Sequence, residues 1–270
     1  MNPTVLITGA GGQLGRELQL AAPAGVTLIC LDRAALDISQ PGEVRRVLGE
    51  LRPDWVINAA AYTAVDRAEG EEALALQVNA EGAGHLAAAC AGTGTGLVHV
   101  STDFVFDGES GHPYAPDATP APLGAYGRSK LEGERAVLAA HPRALIVRTG
   151  WVYSRFGSNF VKTMLRLAAT RDEVGVVADQ IGSPSYAPHI ADALLAMCDA
   201  PTVPSTLDAG DWGLYNIAGA CAASWADVAE EVFAVSRSIG GPVAIVKRIT
   251  TQDYPTPAKR PANSRLDCAK

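Results

Sequence analysis

Residues 8–15 read "TGAGGQLG", and this stretch decides the fold that we predict. It stands between an apolar run, "TVLITGA" (4–10), and a helical pattern, "GQLGRELQLAA" (12–22). Glycines at this spacing allow a tight turn and let the backbone approach a pyrophosphate, and the helix N-terminus offers unpaired N–H groups. The strand–turn–helix context therefore predicts a dinucleotide site built on Gly9, Gly12 and Gly15.

Apolar strand patterns alternate with helical patterns beyond the glycine turn. Strand patterns occupy residues 26–32, 55–61, 96–102 and 144–150, and long helical patterns occupy 71–91 and 125–141. Nearly continuous apolar strands separated by helices indicate a parallel sheet covered on both faces. We therefore predict an α/β fold with a Rossmann-type doubly wound parallel sheet.

The pattern becomes less regular after residue 150. Helical patterns cover 158–171, 187–200 and 224–238, with Ser224 as the expected N-cap of the last. A strand pattern covers 213–219. We predict a dinucleotide-binding domain at 1–150, to which 188–218 return, and a smaller C-terminal substrate-binding region formed by 151–187 and 219–270.

Composition excludes several classes of protein. The chain has 270 residues, 48% of them hydrophobic, and a net charge of −7 that forms no tail, which argues against nucleic acid or an anionic membrane as partner. Five scattered cysteines predict neither disulfides nor structural zinc. The five histidines show no paired ligand spacing, so we predict no metal site. Without a signal-peptide pattern or an apolar run of ~20 residues, we expect a cytoplasmic protein.

Two residues at the end of the second strand pattern point to different cofactors. Asp32 stands where a carboxylate commonly accepts the ribose 2′-hydroxyl, whereas the guanidinium of Arg33 suits a 2′-phosphate. These residues alone do not separate NAD from NADP. Asp37 is a candidate acceptor for the adenine amino group, or equally a turn or helix N-terminal acid.

The stretch "AYGRSK" (125–130) sets a tyrosine and a lysine four residues apart. Tyr126 and Lys130 then share one helix face, and this is either an ordinary surface pair or a proton donor with a nearby charge. Free tyrosine has a pKa of roughly 10, which we expect the ammonium to lower. "HVSTDFVFDG" (99–108) follows a central strand, where ligands bind in such folds. Thr102 is thus expected to hydrogen-bond the ligand oxygen to which Tyr126 would give its proton.

Longer motifs surround these residues, at 58–69, 147–165, 179–187 and 254–267. Together with Thr102, Tyr126 and Lys130, they resemble the dTDP-4-dehydrorhamnose reductase family, in the extended branch of the short-chain dehydrogenase/reductase superfamily. The resemblance implies reduction of dTDP-4-dehydro-6-deoxy-L-mannose to dTDP-L-rhamnose, with hydride delivered to C4 and Tyr126 as proton donor. It implies a dTDP-sugar as substrate. We expect NADPH as cofactor, because Arg33 is in place and the implied reaction is biosynthetic, and we expect Asp32 to keep NADH usable.

The patterns and the resemblance together give three sets of site residues. The catalytic set is Thr102, Tyr126 and Lys130. The cofactor set is Gly9, Gly12, Gln13, Leu14, Gly15, Asp32, Arg33, Asp37, Ala59, Ala60, Ala61, Thr63, Asn79, Tyr126 and Lys130. The substrate set is Thr102, Asp103, Phe104, Tyr126, Trp151 and Arg260.

Some members of these sets have other readings. Trp151 is alternatively part of the ordinary core, and Asn79 is alternatively a residue that braces a helix. Arg260 is the candidate for binding the substrate diphosphate, and its alternative is an ordinary surface arginine. Phe104 replaces a tyrosine that is frequent in the family, so a hydroxyl contact is lost there. Two other functions stay open: a non-catalytic regulatory subunit of the methionine adenosyltransferase type, and an epimerase or dehydratase acting on another nucleotide sugar.

The resemblance also bears on assembly. Some family members bind magnesium through acidic residues at a dimer interface, and Glu17 matches one of them. Pro188 stands where a further acidic ligand would be expected, and it has no side-chain oxygen. We therefore predict a monomer or weak homodimer without bridging magnesium, and Glu17 as an exposed acid near a helix start. Family chains usually continue past "NSRLD" (263–267) into a final helix, without which we expect exposed apolar surface in the second region.

Overall fold

A six-stranded parallel sheet forms the centre of the computed structural model, which describes residues 2–198 and 211–269. The spatial order is β2-β1-β3-β4-β5-β10, so the order reverses between β1 and β3. This confirms the predicted α/β fold with a doubly wound parallel sheet. The strands are β1 (Thr4–Thr8), β2 (Thr27–Leu31), β3 (Trp55–Asn58), β4 (Gly96–Thr102), β5 (Ala144–Thr149) and β10 (Gly213–Asn216).

Helices cover both faces of this sheet because successive strand residues point to opposite sides. Leu6 packs with α2 (Pro41–Leu51), α5 (Ala83–Thr93) and α6 (Ala125–Ala140). Its neighbours Val5 and Ile7 pack on the other face with α1 (Gln13–Ala21) and α8 (Ala187–Met197). The apolar strand patterns are thus explained by burial on two sides.

The last strand of the sheet comes from far along the chain. β10 runs parallel to β5, with Gly213 opposite Leu145 and Asn216 opposite Arg148. Residues 199–210, part of the predicted return of 188–218, lie outside the described residues. The division into a dinucleotide-binding and a substrate-binding part stays a prediction.

The second region has its own small core. Met164, Val174 and Phe233 are buried together between α7 (Phe160–Ala168), β7 (Glu173–Val177) and α9 (Trp225–Ser238), and β12 (Ile245–Ile249) pairs with β7. Sequence patterns did not predict β7 and β12. Four two-residue strands complete the region: β6 (Val152–Tyr153), β8 (Ile181–Gly182), β9 (Ser185–Tyr186) and β11 (Ala223–Ser224).

The predicted helix at 71–91 is divided. After the short α3 (Val65–Ala68), α4 covers Glu72–Leu76, a π-helical turn covers Gln77–Gly82, and α5 follows. Asn79 lies in the π-helical turn, where its amide contacts a neighbouring loop. Across residues 2–198 and 211–269, no helix is long and apolar enough to cross a membrane.

Candidate active site

A cleft of about 880 Å³ opens at the carboxyl ends of the parallel strands. Its wall includes nearly all the residues that the sequence singled out. On the predicted cofactor side these are Gly9, Gly12, Gln13, Leu14, Gly15, Asp32, Arg33, Asp37, Ala59, Ala60, Ala61 and Thr63. On the predicted catalytic and substrate side they are Thr102, Asp103, Phe104, Tyr126, Lys130 and Trp151. Asn79 and Arg260 are outside this lining.

The turn after β1 requires glycine. Gly9 has a φ of +67°, and a Cβ atom there would lie 2.6 Å from the amide nitrogen of Ala60. A Cβ on Gly15 would lie 2.4 Å from the carbonyl oxygen of Gly9. Gly12, the N-cap of α1, supplies no side-chain cap, and Gln13, Leu14 and Gly15 of the first helical turn line the cleft. This cradle fits a pyrophosphate.

The end of β2 carries the charges that would meet an adenosine ribose. Asp32 Oδ1 accepts hydrogen bonds from the backbone N–H groups of Ala34 and Ala35, both at 3.0 Å. The Arg33 side chain is 75% exposed, and its Nε lies 3.6 Å from Asp37 Oδ2. The guanidinium is therefore available to a phosphate group at this end of the cleft.

Asp37 is held in a turn. Its Oδ1 accepts hydrogen bonds from the backbone N–H of Ser39 at 3.0 Å and from the Ser39 hydroxyl at 2.7 Å. Burial acts to raise the pKa of Asp37, but these hydrogen bonds and the Arg33 charge outweigh it, so the pKa is lowered. The carboxylate consequently stays ionised.

Lys130 is buried under the cleft, one turn of α6 after Tyr126. Its Nζ donates a hydrogen bond of 2.7 Å to the carbonyl oxygen of Val100 in β4. Burial lowers the pKa of Lys130 to about 8, although the charge of Glu134 acts to raise it. The helix thus holds the ammonium against the strand that carries Thr102.

The pKa of Tyr126 departs from the expectation drawn from the sequence. Burial raises it to about 12, the Asp103 charge raises it as well, and a hydrogen bond with Thr102 lowers it. The lower pKa of Tyr126 that we expected from the charge of Lys130 is wrong, because the cost of burying the charged phenolate outweighs any favourable charge nearby. Tyr126 is therefore protonated at neutral pH, as a proton donor must be.

Thr102 and Asp103 are tied together at the end of β4. The Thr102 hydroxyl donates to Asp103 Oδ1 at 3.0 Å and accepts from the backbone N–H of Phe104 at 3.2 Å. Burial raises the pKa of Asp103 to about 6, despite hydrogen bonds from Ser264 and Thr102 that lower it. The Phe104 ring lies edge-on to Tyr126, with centroids 5.7 Å apart.

Sequence reasoning missed a buried ion pair that lies one helical turn beyond the predicted catalytic residue Lys130. Arg148 and Glu134 form two hydrogen bonds of 2.9 and 2.7 Å, and the Ser101 hydroxyl donates to Glu134 at 2.5 Å. Both charged side chains are almost fully buried. One signal was available: Glu134 follows Lys130 by four residues and shares its helix face.

Asn79 and Arg260 contact other groups. The Asn79 amide accepts from the N–H of Tyr62 at 2.8 Å and donates to Tyr62 O and Ser129 Oγ, both at 3.0 Å. Arg260 donates to Asp66 at 2.8 Å, and its guanidinium lies 6.0 Å from the Phe104 ring centroid. Arg260 thus lies beside the substrate side of the cleft, held by an acidic partner.

Trp151 and Glu17 are both held by contacts with other side chains. The Trp151 indole lines the cleft and stacks on Trp225. Glu17 is only 1% exposed and accepts a 2.7 Å hydrogen bond from the Ser154 hydroxyl, so the expectation of an exposed acid is wrong. Arg155 lies 3.4 Å from the same carboxylate. Within the described parts of the chain, no three His, Cys, Asp or Glu residues are grouped to hold a metal ion.

Comparison with known proteins extends these observations. The model of the family described as RmlD substrate binding domain matches residues 3–270. The dTDP-4-dehydrorhamnose reductase of Sinorhizobium fredii is 45% identical over 264 residues, which is 98% of this chain and 88% of the relative. That of Escherichia coli K12 is 42% identical over 274 residues, or 98% and 90%.

Solved structures give the same picture. The dTDP-4-dehydrorhamnose reductase of Bacillus anthracis in complex with NADP superposes with a TM-score of 0.92 at 37% identity, covering 99% of this chain and 91% of that one. A UDP-glucose 4-epimerase of Thermus thermophilus, at 22% identity and a TM-score of 0.78, shares the fold; it covers 98% and 90% of the two chains.

Proposed function

This chain belongs to the dTDP-4-dehydrorhamnose reductase family, and from that premise we propose that it reduces dTDP-4-dehydro-6-deoxy-L-mannose to dTDP-L-rhamnose. We propose NADPH as the cofactor, with NADH also accepted. The observation that carries the proposal is one continuous cleft with a glycine turn at one end and Thr102, Tyr126 and Lys130 at the other.

The chemistry divides between cofactor and protein. A bound reduced nicotinamide supplies the hydride that reaches C4 of the sugar. Tyr126 holds the proton that the C4 oxygen takes up, and its raised pKa keeps that proton in place until charge develops on the oxygen. The Thr102 hydroxyl, at the end of β4, turns its proton from Asp103 to the same oxygen and orients the carbonyl.

Lys130 has two roles in this proposal. Its ammonium donates to Val100 O, so one donor is used and the remaining N–H groups are available to the cofactor ribose. Its charge favours the phenolate that Tyr126 becomes after proton transfer. This cation stabilises the phenolate more strongly in the buried site than it would in water, because the protein interior screens the two charges less.

The other predicted residues keep their proposed roles. The glycine turn, Gln13, Leu14 and Ala59–Ala61 would hold the cofactor, and Thr63 would line the cofactor side. Asn79, whose amide holds Tyr62 and Ser129, would support that side from outside the cleft. Asp103, Phe104 and Trp151 would face the sugar. Arg260 would meet the diphosphate after leaving Asp66, and the ion pair supports this by keeping the guanidinium beside the cleft. We also propose that 1–150 with 188–218 bind the dinucleotide and that 151–187 and 219–270 bind the sugar nucleotide.

The test is an absorbance assay with the purified protein, NADPH and the 4-keto sugar. Net oxidation of NADPH is expected with the wild type, and a fall in kcat of ~10² or more with Tyr126→Phe, which removes only the hydroxyl. Oxidation no faster than in a protein-free blank would refute the reductase. Conversion of a nucleotide sugar without net loss of NADPH would indicate an epimerase or dehydratase instead.

A further inference from the structure

Trp151 has a backbone conformation that large residues rarely adopt. Its φ is +51°, and Arg52 is the one other non-glycine residue with positive φ in the described parts of the chain. The left-handed region costs roughly 1–2 kcal/mol for a residue with a Cβ atom, so such a residue persists only where its surroundings fix it. The contacts of the indole ring show what fixes it.

Three contacts hold the Trp151 indole. The ring of Trp225 stacks on it with a centroid distance of 3.4 Å and an interplanar angle of 1°. Its Nε1 donates a 3.0 Å hydrogen bond to the Ser264 hydroxyl. Gly182 lies so close that an added Cβ atom would be 2.2 Å from the indole Cε2. The ring is therefore clamped between an aromatic face, a polar partner and a backbone without a side chain.

Trp225 is itself firmly placed. It is the first residue of α9, directly after the N-cap Ser224, whose capping box with Asp227 fixes the start of the helix. On the second region's side, Phe160 packs against it with centroids 4.6 Å apart. Trp225 is absent from the wall of the cleft, whereas Trp151 belongs to it, so Trp151 is the contact through which we expect Trp225 to act on a bound ligand.

The clamped ring lies next to the sugar side of the cleft. Gly150, the residue before Trp151, packs on Asp103 so closely that a Cβ atom would meet the carboxylate at 2.4 Å. Asp103 in turn accepts the hydrogen bond of Thr102. A shift of Trp151 would thus be felt where the carbonyl is reduced.

We propose that Trp225 is a positioning residue: by stacking on Trp151 from behind, it fixes the indole against the sugar of the substrate. Gly182 acts in the same way from its own side, because only glycine leaves room for the ring. The identity of the sugar rests on the proposed reductase function. A shift of a fraction of an ångström changes how strongly a group stabilises the transition state. The residues that hold Trp151 in place therefore contribute to the reaction.

The first measurement is steady-state kinetics. Trp225→Leu is expected to raise KM for the 4-keto sugar and lower kcat, with a combined fall in kcat/KM of roughly tenfold to a hundredfold. The dissociation constant of NADPH should stay within twofold of the wild type. Trp225→Phe, which keeps an aromatic face, should have a kcat/KM between those of the wild type and Trp225→Leu. Gly182→Ala should reproduce the Leu variant, and it keeps the test open if Trp225→Leu does not fold.

The second measurement is the indole N–H signal of Trp151 in a heteronuclear NMR spectrum, assigned by its disappearance in Trp151→Phe. In Trp225→Leu this signal should broaden and its N–H should exchange faster with solvent, because the indole is no longer held on Ser264. Its chemical shift changes in any case, because the ring current of Trp225 is lost. A merely structural role for Trp225 would leave the line width and the solvent exchange of this N–H as in the wild type. Trp212→Leu is the matched control, because Trp212 stacks on Trp55 with a centroid distance of 6.4 Å and does not line the cleft.

The outcomes separate the two proposals. If the wild type does not oxidise NADPH, the reductase function fails, and the Trp151 signal alone decides the positioning role. A signal in Trp225→Leu with the line width and exchange rate of the wild type would overturn that role. If the wild type is active, two results for Trp225→Leu would overturn it as well. One is unchanged kinetics, and the other is a loss of NADPH binding as large as the loss of kcat/KM.

Discussion

The ammonium of Lys130 lies in surroundings that oppose its charge. It is 2% exposed, and burial lowers its pKa from 10.5 to about 8. A group whose folded-state pKa is depressed in this way destabilises the folded protein at pH values where it is charged in both states. The proposed function explains this buried side chain, since a cation would stabilise the phenolate that Tyr126 becomes after proton transfer.

Lys130→Met is therefore expected to increase stability while it removes activity. Each unit of pKa depression corresponds to about 1.4 kcal/mol, and loss of the hydrogen bond to Val100 offsets part of the gain, so we expect on the order of 2 kcal/mol. Urea unfolding at pH 7 measures this. The difference should be constant below pH 8 and shrink toward pH 10.5, because the folded wild type then releases its proton first. A destabilised variant would contradict the account.

Arg33 is expected to select the cofactor. Its side chain is exposed and its pair with Asp37, at 3.6 Å, is a surface contact that adds little stability. Arg33→Ala should weaken NADPH binding roughly tenfold and NADH binding by less than twofold, because only NADPH has a 2′-phosphate. Fluorescence titration with both nucleotides measures it. Arg46→Ala, which removes an exposed arginine paired with Glu50, is the control. Equal losses for both nucleotides would exclude this role.

Single residues were predictable where chemistry follows from spacing. The four-residue separation of Tyr126 and Lys130 was sufficient to place them on one side of α6. Their pKa values were not predictable, because burial depends on chain segments far away in sequence. The ion pair of Glu134 and Arg148 was missed for the same reason: its members come from a helix and a strand whose contact exists only in the folded protein.

At the scale of elements, the start of α6 depends on a residue from another segment. Gly124 is the N-cap and has no side chain, and Glu69 instead accepts the N–H of Ala125 at 2.8 Å. A Cβ atom on Gly124 would lie 2.6 Å from that carboxylate oxygen, so the glycine leaves room for it. Sequence patterns did not predict this cap, because a cap supplied from a distance leaves no local pattern.

Glu69→Ala is expected to loosen the first turn of the helix that carries Tyr126. Loss of a capping interaction typically costs about 1 kcal/mol. Hydrogen exchange at Ala125–Arg128 should accelerate and kcat should fall, because Tyr126 is the second residue of the helix. Glu72→Ala removes a comparable exposed carboxylate that pairs with Arg128, and it should leave kcat unchanged. Equal behaviour of the two variants would refute the capping role.

Element types were predictable and their interruptions were not. The apolar periodicity of 71–91 correctly indicated helix, but the π-helical turn at Gln77–Gly82 has no signal of its own. It accommodates contacts between Asn79 and two other segments, which periodicity does not record. By contrast, Ser224 was correctly predicted as an N-cap, because a capping box is a local pattern.

At the scale of the whole molecule, the parallel sheet followed from the sequence and the second region did not. Strands buried on both faces have long apolar runs, whereas β7 alternates exposed and buried residues over only five positions, too few to stand out. Its partner β12 is mostly exposed, so apolar periodicity could not reveal it.

Assembly without bridging magnesium remains a prediction. The Glu17 carboxylate is occupied by Ser154 and Arg155, and Pro188 offers no oxygen. We expect the same molar mass, that of a monomer or weak homodimer, by light scattering in magnesium and in chelator. Ser154→Ala frees one carboxylate lone pair and is the control for latent metal binding. A dimer that dissociates only in chelator would overturn the prediction.

The pairing of β10 with β5 has a consequence for synthesis on the ribosome. β5 ends at Thr149 and its edge partner begins at Gly213, so that edge stays unpaired while the intervening chain is translated. At ~5–20 residues per second this lasts several seconds, during which an open strand edge can pair with another nascent chain. We expect ribosome-stalled chains ending near residue 200 to be digested by protease at β5, and chains of full length to resist. Equal resistance of the two would show that β5 is protected before β10 is made.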